Sequence, residues 1–292
     1  MIISHIIGGL GNQMFQYAAG RALALRLQES QYLDLDGFSD YRLHQGFELT
    51  DVFLCNVPIV TKDQIRNEFG WRCSEKIRPL LLKPLLKWLR SPHFVVEPHF
   101  HYWSGFSQIN CSCYLYGYWQ SEKYFKPIAD IIRQDFKFRH DLQARNLELA
   151  RQMAACTAVS LHVRRGDYVS DAKTNNTHGL CSLTYYRDAV AHITEHVSSP
   201  HFFIFSDDIE WCREHLNLDF PATYIDHNTG DDSYRDMQLM SLCDHHIIAN
   251  SSFSWWGAWL NPSPEKIVIA PIRWFSAGYQ TDDLVPSEWI RL

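Results

Sequence analysis

Residues 201–216 read HFFIFSDDIEWCREHL: an unbroken apolar run, an acidic turn, then apolar residues at helical spacing. A short continuous apolar run that ends in a polar turn fits a strand buried on both faces. Ser206, Asp207 or Asp208, placed just ahead of the helical pattern, can cap the free N–H groups of its first turn. A strand that feeds a helix directly belongs to a parallel sheet, because parallel neighbours need a long crossover between them. The unit recurs on both sides of this stretch. A helix over roughly 141–155 is followed by a strand at 158–164, a helix at 183–196, the strand at 201–206 and a short helix at 209–216. A strand at 222–226, a helix at 233–243, a strand at 245–249, a helix from near 253 and a strand at 266–270 complete the series.

The other end of the chain opens in the same way, with a strand over 2–7, a turn holding Gly8, Gly9 and Gly11, and a helix whose apolar face is Phe15, Ala18, Ala19, Ala22, Leu23 and Leu27. A second strand is expected at 31–36. This alternation predicts an α/β fold of two Rossmann-like halves, 1–150 and 151–292, each a parallel sheet covered by helices, the two facing across a cleft. With 46% hydrophobic and 21% charged residues the composition is that of an ordinary globular protein. A formal charge of -6 argues against generic nucleic-acid binding. The eight cysteines are scattered without a C-x-x-C pair, and residues 1–9 carry neither a basic leader nor an apolar run long enough for a signal or anchor. Reduced thiols in a cytoplasmic protein are the expectation.

In doubly wound sheets ligands bind beyond the carboxyl ends of the strands, so those ends carry the functional prediction. After the strand at 158–164, alternation puts His162 and Arg164 on one face and Arg165 on the other. A guanidinium there suits an anion, and Arg164 is the better candidate for the ligand. After 201–206, Asp207 could accept a pair of hydrogen bonds from guanine, whereas Asp208 fits a helix cap. After 245–249, Ser251, Ser252 and the Phe253 N–H open a helix and can cradle phosphate, although an ordinary capped helix with Trp255, Trp256 and Trp259 in the core fits equally. The turn at Gly9, Gly11 and Asn12 mimics the dinucleotide fingerprint but has Met14 where its last glycine belongs.

In chain order, GGLGNQMFQYA (8–18), GYWQSEKYF (117–125), HVRRGDY (162–168), FSDD (205–208) and ANSSFSWWGAWLN (249–261) resemble the bacterial α-1,2-fucosyltransferases, relatives of the enzymes that make H-type glycans. That resemblance spans 8–261. It implies a GT-B fold and inverting, metal-independent transfer of L-fucose from GDP-fucose to the 2-hydroxyl of a terminal galactose. It places the β-phosphate at Arg164, its companion histidine at His162, guanine recognition at Asp207, the serines at Ser251 and Ser252, and the cleft-lining asparagine at Asn12. Asp34 and Asp36 imitate a metal-binding D-x-D but lie in the half without the donor elements.

Inversion calls for a base near the acceptor hydroxyl. Asp167, Asp171 and His178 are the candidates, Asp167 being tied to the arginine motif and expected to brace Arg165. A dissociative reaction in which the leaving phosphate takes the proton needs none of them. The same motifs leave three other readings open: a fucosyltransferase of another linkage, a non-catalytic glycan- or nucleotide-binding module, and an NAD-dependent dehydrogenase. Tyr114, Tyr116 and Tyr118 alternate as one face of a strand, with Gln120 and Glu122 expected at the cleft edge. Residues 72–90 hold six cations against the single Glu75. They fit a solvated face, or a peripheral contact with an anionic membrane carrying a lipid-linked acceptor.

Overall fold

Four short strands, β1 (Ile2–His5), β2 (Gln31–Asp34), β3 (Phe94–Val96) and β4 (Cys113–Tyr116), form an all-parallel sheet in the order β2-β1-β4-β3. They belong to the first of two units in the computed structural model, which describes residues 1–38, 45–165, 179–276 and 278–292. The units are Met1–Arg139 with Asp282–Leu284, and His140–Thr281 with Val285–Leu292. Every residue of β1 is buried, as a central strand with apolar neighbours on both faces requires. The helix Leu10–Leu27 packs on it so closely that a Cβ on Gly20 would fall 2.0 Å from Ser4 Oγ and 2.8 Å from Gln31 Nε2. Close helix–strand approach is the task of the third fingerprint glycine in dinucleotide folds. Here it is done nine residues after Gly11, inside the helix.

Gly20→Ala is therefore expected to destabilise by about 1–2 kcal/mol, because overpacking outweighs the roughly 1 kcal/mol gain in helix propensity. Adding Ser4→Ala removes the nearest atom and should recover most of the loss. Urea midpoints of the wild type and the two variants check this, and an unchanged midpoint for Gly20→Ala alone would refute the close-approach argument.

The second unit is a six-stranded parallel sheet in the order β10-β9-β8-β5-β6-β7. Its strands are β5 (Thr157–Val163), β6 (Pro200–Ser206), β7 (Ala222–Ile225), β8 (His245–Ile247), β9 (Val268–Ala270) and β10 (Ile290–Arg291). On one face Val159, Leu161, Val163, Phe202 and Ile204 meet Tyr185, Tyr186, Ala189 and Ile193 of the helix Leu183–His196. On the other, Ala158, Phe203, Phe205 and Ile225 meet Leu149 and Met153 of the helix Ala144–Ala154, and Leu239 and Met240 of the helix Tyr234–Met240. Burial on both faces is why these strands read as continuous apolar runs.

Some elements differ from the expectation. The strand expected at 31–36 stops at Asp34, because Asp36 begins a 3-10 turn, Asp36–Phe38. Strands β3 and β10 were not legible, being three and two residues long. The tyrosine stripe divides: Tyr114 is fully buried, while Tyr118 lies beyond the end of β4 and is exposed. None of the eight cysteines is in a disulfide. Among the described residues no helix is long and apolar enough to cross a membrane.

Candidate functional site

Parallel register brings the predicted strand ends of the second unit to one level. Val163 pairs with Ser206, which sets Arg164 beside Asp207. Leu161 pairs with Ile247, so Asn250 stands as far beyond its paired position as Arg164 does beyond its own. Arg164 Nη1 is 3.0 Å from Asp207 Oδ2, with a quarter of each side chain exposed. Asp207 Oδ1 accepts a 2.8 Å hydrogen bond from the Arg165 backbone N–H. Both carboxylate oxygens are thus engaged, and guanine recognition by Asp207 would have to use the second lone pair of each.

Arg165 points elsewhere. Its Nε donates to Asp208 Oδ2 at 3.1 Å and its guanidinium lies 3.9 Å from the Trp211 ring centroid. Asp208 also accepts from the Trp211 N–H, the cap of the helix Ile209–His215. Arg165 is a brace, and the residues it braces against are Asp208 and Trp211. The expected partner, Asp167, lies outside the described residues, as do Asp171 and His178.

His162 is 6% exposed, with its ring centroid 6.1 Å from that of Phe253. Burial lowers its pKa to about 4; Asp207 works against this and Arg164 reinforces it. The imidazole is therefore neutral near pH 7. Its Nδ1 has no hydrogen-bond partner among the described residues, an uncommon state for a buried polar atom.

Ser251 caps the helix Ser252–Leu260 by accepting from the Phe253 N–H at 3.3 Å. That hydroxyl and that N–H are turned on each other, so the phosphate cradle expected of Ser251, Ser252 and Phe253 must share its donors with an ordinary cap. Trp255, Trp256 and Trp259 are in the core, as the plainer reading had it. Asn250, not singled out from the sequence, donates to the carbonyls of Gly179 and Trp274 at 3.1 and 3.2 Å and ties three segments together.

In the first unit Gly8 has φ +90, a left-handed conformation that favours glycine, and Gly9 caps the helix that contains Gly11 and Asn12. Asn12 Oδ1 accepts from Gln120 Nε2 at 2.7 Å. The turn is held by two buried glutamines that sequence reasoning passed over. Gln13 donates to the Gly8 and Gly46 carbonyls, and Gln16 accepts from the Ile7 N–H and donates to the Gly117 carbonyl. Polar residues interrupting the apolar face of the helix were the available signal. Gln120 and Glu122 are 7% and 6% exposed, so neither sits at an open edge; Glu122 pairs with Lys126 at 2.7 Å. Glu97, just past β3, accepts from the Tyr118 and Trp119 N–H groups at 2.7 and 3.0 Å. Burial pushes its pKa up to about 7 in spite of these bonds.

Asp34 and Asp36 are occupied by one guanidinium. Arg78 Nη1 bonds Asp34 Oδ2, and Nη2 bonds Asp36 Oδ2 at 2.8 Å. The Tyr114 hydroxyl and the Asp36 N–H also donate to Asp34. The D-x-D lookalike is therefore an internal ion-pair site, and one member of the supposedly solvated cationic run is buried in it. Among the described residues the metal-ligand atoms that converge, to within 4.8 Å, are those of His192, Glu195 and His196. They sit where the helix Leu183–His196 leads into the amino end of β6, whereas Arg164 follows the carboxyl end of the parallel β5.

Comparison with known proteins agrees with this architecture. The model of glycosyl transferase family 11 matches residues 83–292. The chain is 37% identical to an Escherichia coli alpha-1,2-colitosyltransferase, covering 100% of this chain and 99% of that protein. It is 33% identical to the Escherichia coli O-antigen biosynthesis glycosyltransferase WbnK, covering 99% of both. It is 27% identical to galactoside alpha-(1,2)-fucosyltransferase 1 of Alouatta belzebul, covering 87% of this chain and 63% of that one. The crystal structure of NodZ alpha-1,6-fucosyltransferase superposes with a TM-score of 0.54 at 15% identity over 89% of this chain and 92% of that chain, which places the fold in the GT-B-like class. The two parallel-sheet units and these matches lead to one conclusion: the chain belongs to glycosyl transferase family 11.

Proposed function

We propose that the protein is an inverting α-1,2-fucosyltransferase that moves L-fucose from GDP-β-L-fucose to the 2-hydroxyl of a terminal β-galactose on an O-antigen-type glycan, without a metal. The observation that carries this reading is the guanidinium of Arg164, poised by Asp207 at the carboxyl end of β5. In the second unit, the donor-binding half, Arg164 meets the β-phosphate and stabilises the charge that builds on the leaving diphosphate, the task a cation must perform in such a transfer. The acceptor hydroxyl attacks the anomeric carbon as the C–O bond to phosphate breaks, and its proton passes to a base or to the departing phosphate. Asp167, Asp171 and His178 are the candidate bases. His162, held neutral, offers Nδ1 to the donor rather than a second charge. Gly9, Gly11 and Asn12 join the donor-binding set, and Ser251, Ser252 and the Phe253 N–H border the phosphates.

The 37% identity to an alpha-1,2-colitosyltransferase favours one competing donor. Colitose is L-fucose without its 3-hydroxyl, so the two readings share the alpha-1,2 linkage and differ in whether the transferred sugar carries that hydroxyl. A lipid-linked acceptor would bring the enzyme to a membrane face. The test is incubation of the protein with GDP-fucose or GDP-colitose and a panel of β-galactosides, with and without EDTA, followed by mass and linkage analysis. A 2-linked fucosyl product that persists in EDTA is expected. A product from GDP-colitose alone would transfer the assignment to colitose, loss in EDTA would remove its metal-free part, and no product from either donor would sink it.

A further inference from the structure

We infer that the segment Arg72–Arg90 docks the protein on an anionic lipid bilayer through a wedge formed by Leu85 and Trp88. These side chains are 88% and 78% exposed, a costly display for a large apolar pair. They lie in the 3-10 helix Pro84–Leu89, where residues three apart eclipse one another, so they stand on one face. Leu86 and Leu89, a second eclipsed pair, are partly buried, and Leu89 packs on the core of the first unit. The Leu85–Trp88 face is thereby turned outward.

Charge identifies the occupant. Of the six cations in this stretch, Arg78 is buried on Asp34 and Asp36, and Arg90 donates to the Leu81 carbonyl at 2.8 Å and the Leu82 carbonyl at 3.3 Å, stapling the segment. Arg72, Lys76, Lys83 and Lys87 are exposed. The one acid of the run, Glu75, is paired with Lys62. Lys83 and Lys87 bracket the wedge within the same turns, and neither makes an ion pair among the described residues. A tryptophan and a leucine ringed by lysines match the interface of an anionic bilayer, where the indole sits at headgroup level and ammonium groups meet phosphate. A second copy of this chain fits less well, since the same lysines would face one another across a two-fold axis. The overall charge of -6 means that attraction to such a surface must come from a local basic patch, and this segment supplies one.

The inference does not depend on which sugar is transferred, and its test is separate from the transfer assay. The full chain is mixed at low salt with phosphatidylcholine vesicles, with or without phosphatidylglycerol, and sedimented. Binding only to the phosphatidylglycerol vesicles is expected. Lys83→Gln with Lys87→Gln should weaken it about 25-fold, from about fivefold per lysine at ~1 kcal/mol each. Leu85→Ser with Trp88→Ser should weaken it at least about tenfold through lost apolar burial. Both double variants should keep the wild-type circular-dichroism spectrum and urea midpoint, which shows that they are folded. Binding that ignores lipid charge, binding unchanged in both variants, or no binding to charged vesicles would overturn the proposal. So would a dimer in sedimentation velocity that Leu85→Ser with Trp88→Ser dissolves, since the wedge would then be an interface between copies.

Discussion

Arg164→Lys is expected to lower kcat for sugar transfer by about 10²–10³ while leaving the protein folded, the range seen when one preorganised charge-stabilising donor is lost. Lysine keeps the charge but loses the planar fork that lets one side chain hold Asp207 and still present donors to a phosphate. The side chain is a quarter exposed, and its pair with Asp207 shares that exposure, so folding has little at stake. Arg165→Lys should behave in the opposite way. Its guanidinium stacks on Trp211 and bonds Asp208, and lysine loses the stacked plane and the directed bond, at a cost of about 1–2 kcal/mol in stability with a smaller effect on kcat. Steady-state kinetics and urea midpoints of both variants separate the two roles. Equal losses of kcat in two equally stable variants would show that the pair has been divided wrongly.

The largest stability effect is expected at Arg78. Arg78→Leu should destabilise by about 3–5 kcal/mol, because it strands the Asp34 carboxylate in a site where that side chain is 4% exposed. The remaining donors, the Tyr114 hydroxyl and the Asp36 N–H, cannot neutralise its charge. Burial already raises the pKa of Asp36, with Asp34 adding to the rise and Arg78 opposing it, so removal of Arg78 leaves two carboxylates facing each other. The sign of the pH dependence follows. Without Arg78 the folded state gains by taking up a proton that the unfolded chain does not hold at neutral pH, so the penalty should shrink as pH falls from about 8 towards 5. Adding Asp34→Leu should recover much of the loss, since an apolar pair of similar volume replaces a buried ion pair at little net cost. Urea midpoints across pH check both statements. A pH-independent loss below about 1 kcal/mol would mean that the pair contributes no more than one on the surface.

Arg78 also shows where sequence reading stops. In the chain it is one cation among six in a run with proline at 79 and 84, and such a run ordinarily lies in solvent. Its carboxylate partners are 44 and 42 residues away in sequence, and no local pattern announces them. Asp207 repeats the lesson at shorter range. A carboxylate at a strand end was legible as a ligand group, but its engagement with Arg164 depends on the register of β5 against β6. Ser251 and Asp208, by contrast, were legible as caps because capping is decided within three residues.

By itself the sequence determined the alternation of buried strands and helices in the second unit and the opening strand, helix and strand of the first, the helix Leu183–His196 to the residue, and the strand ends that carry Arg164, Asp207 and Ser251. Those follow from hydrophobic period and turn chemistry, which act over a few neighbouring residues. Only the tertiary structure decided that Asp34 and Asp36 are closed by Arg78, that Asp207 holds Arg164, that buried glutamines clamp the glycine turn, and that Leu85 and Trp88 face outward. The physical reason is that the cost of burying a charge or exposing a tryptophan depends on which distant groups arrive to meet it.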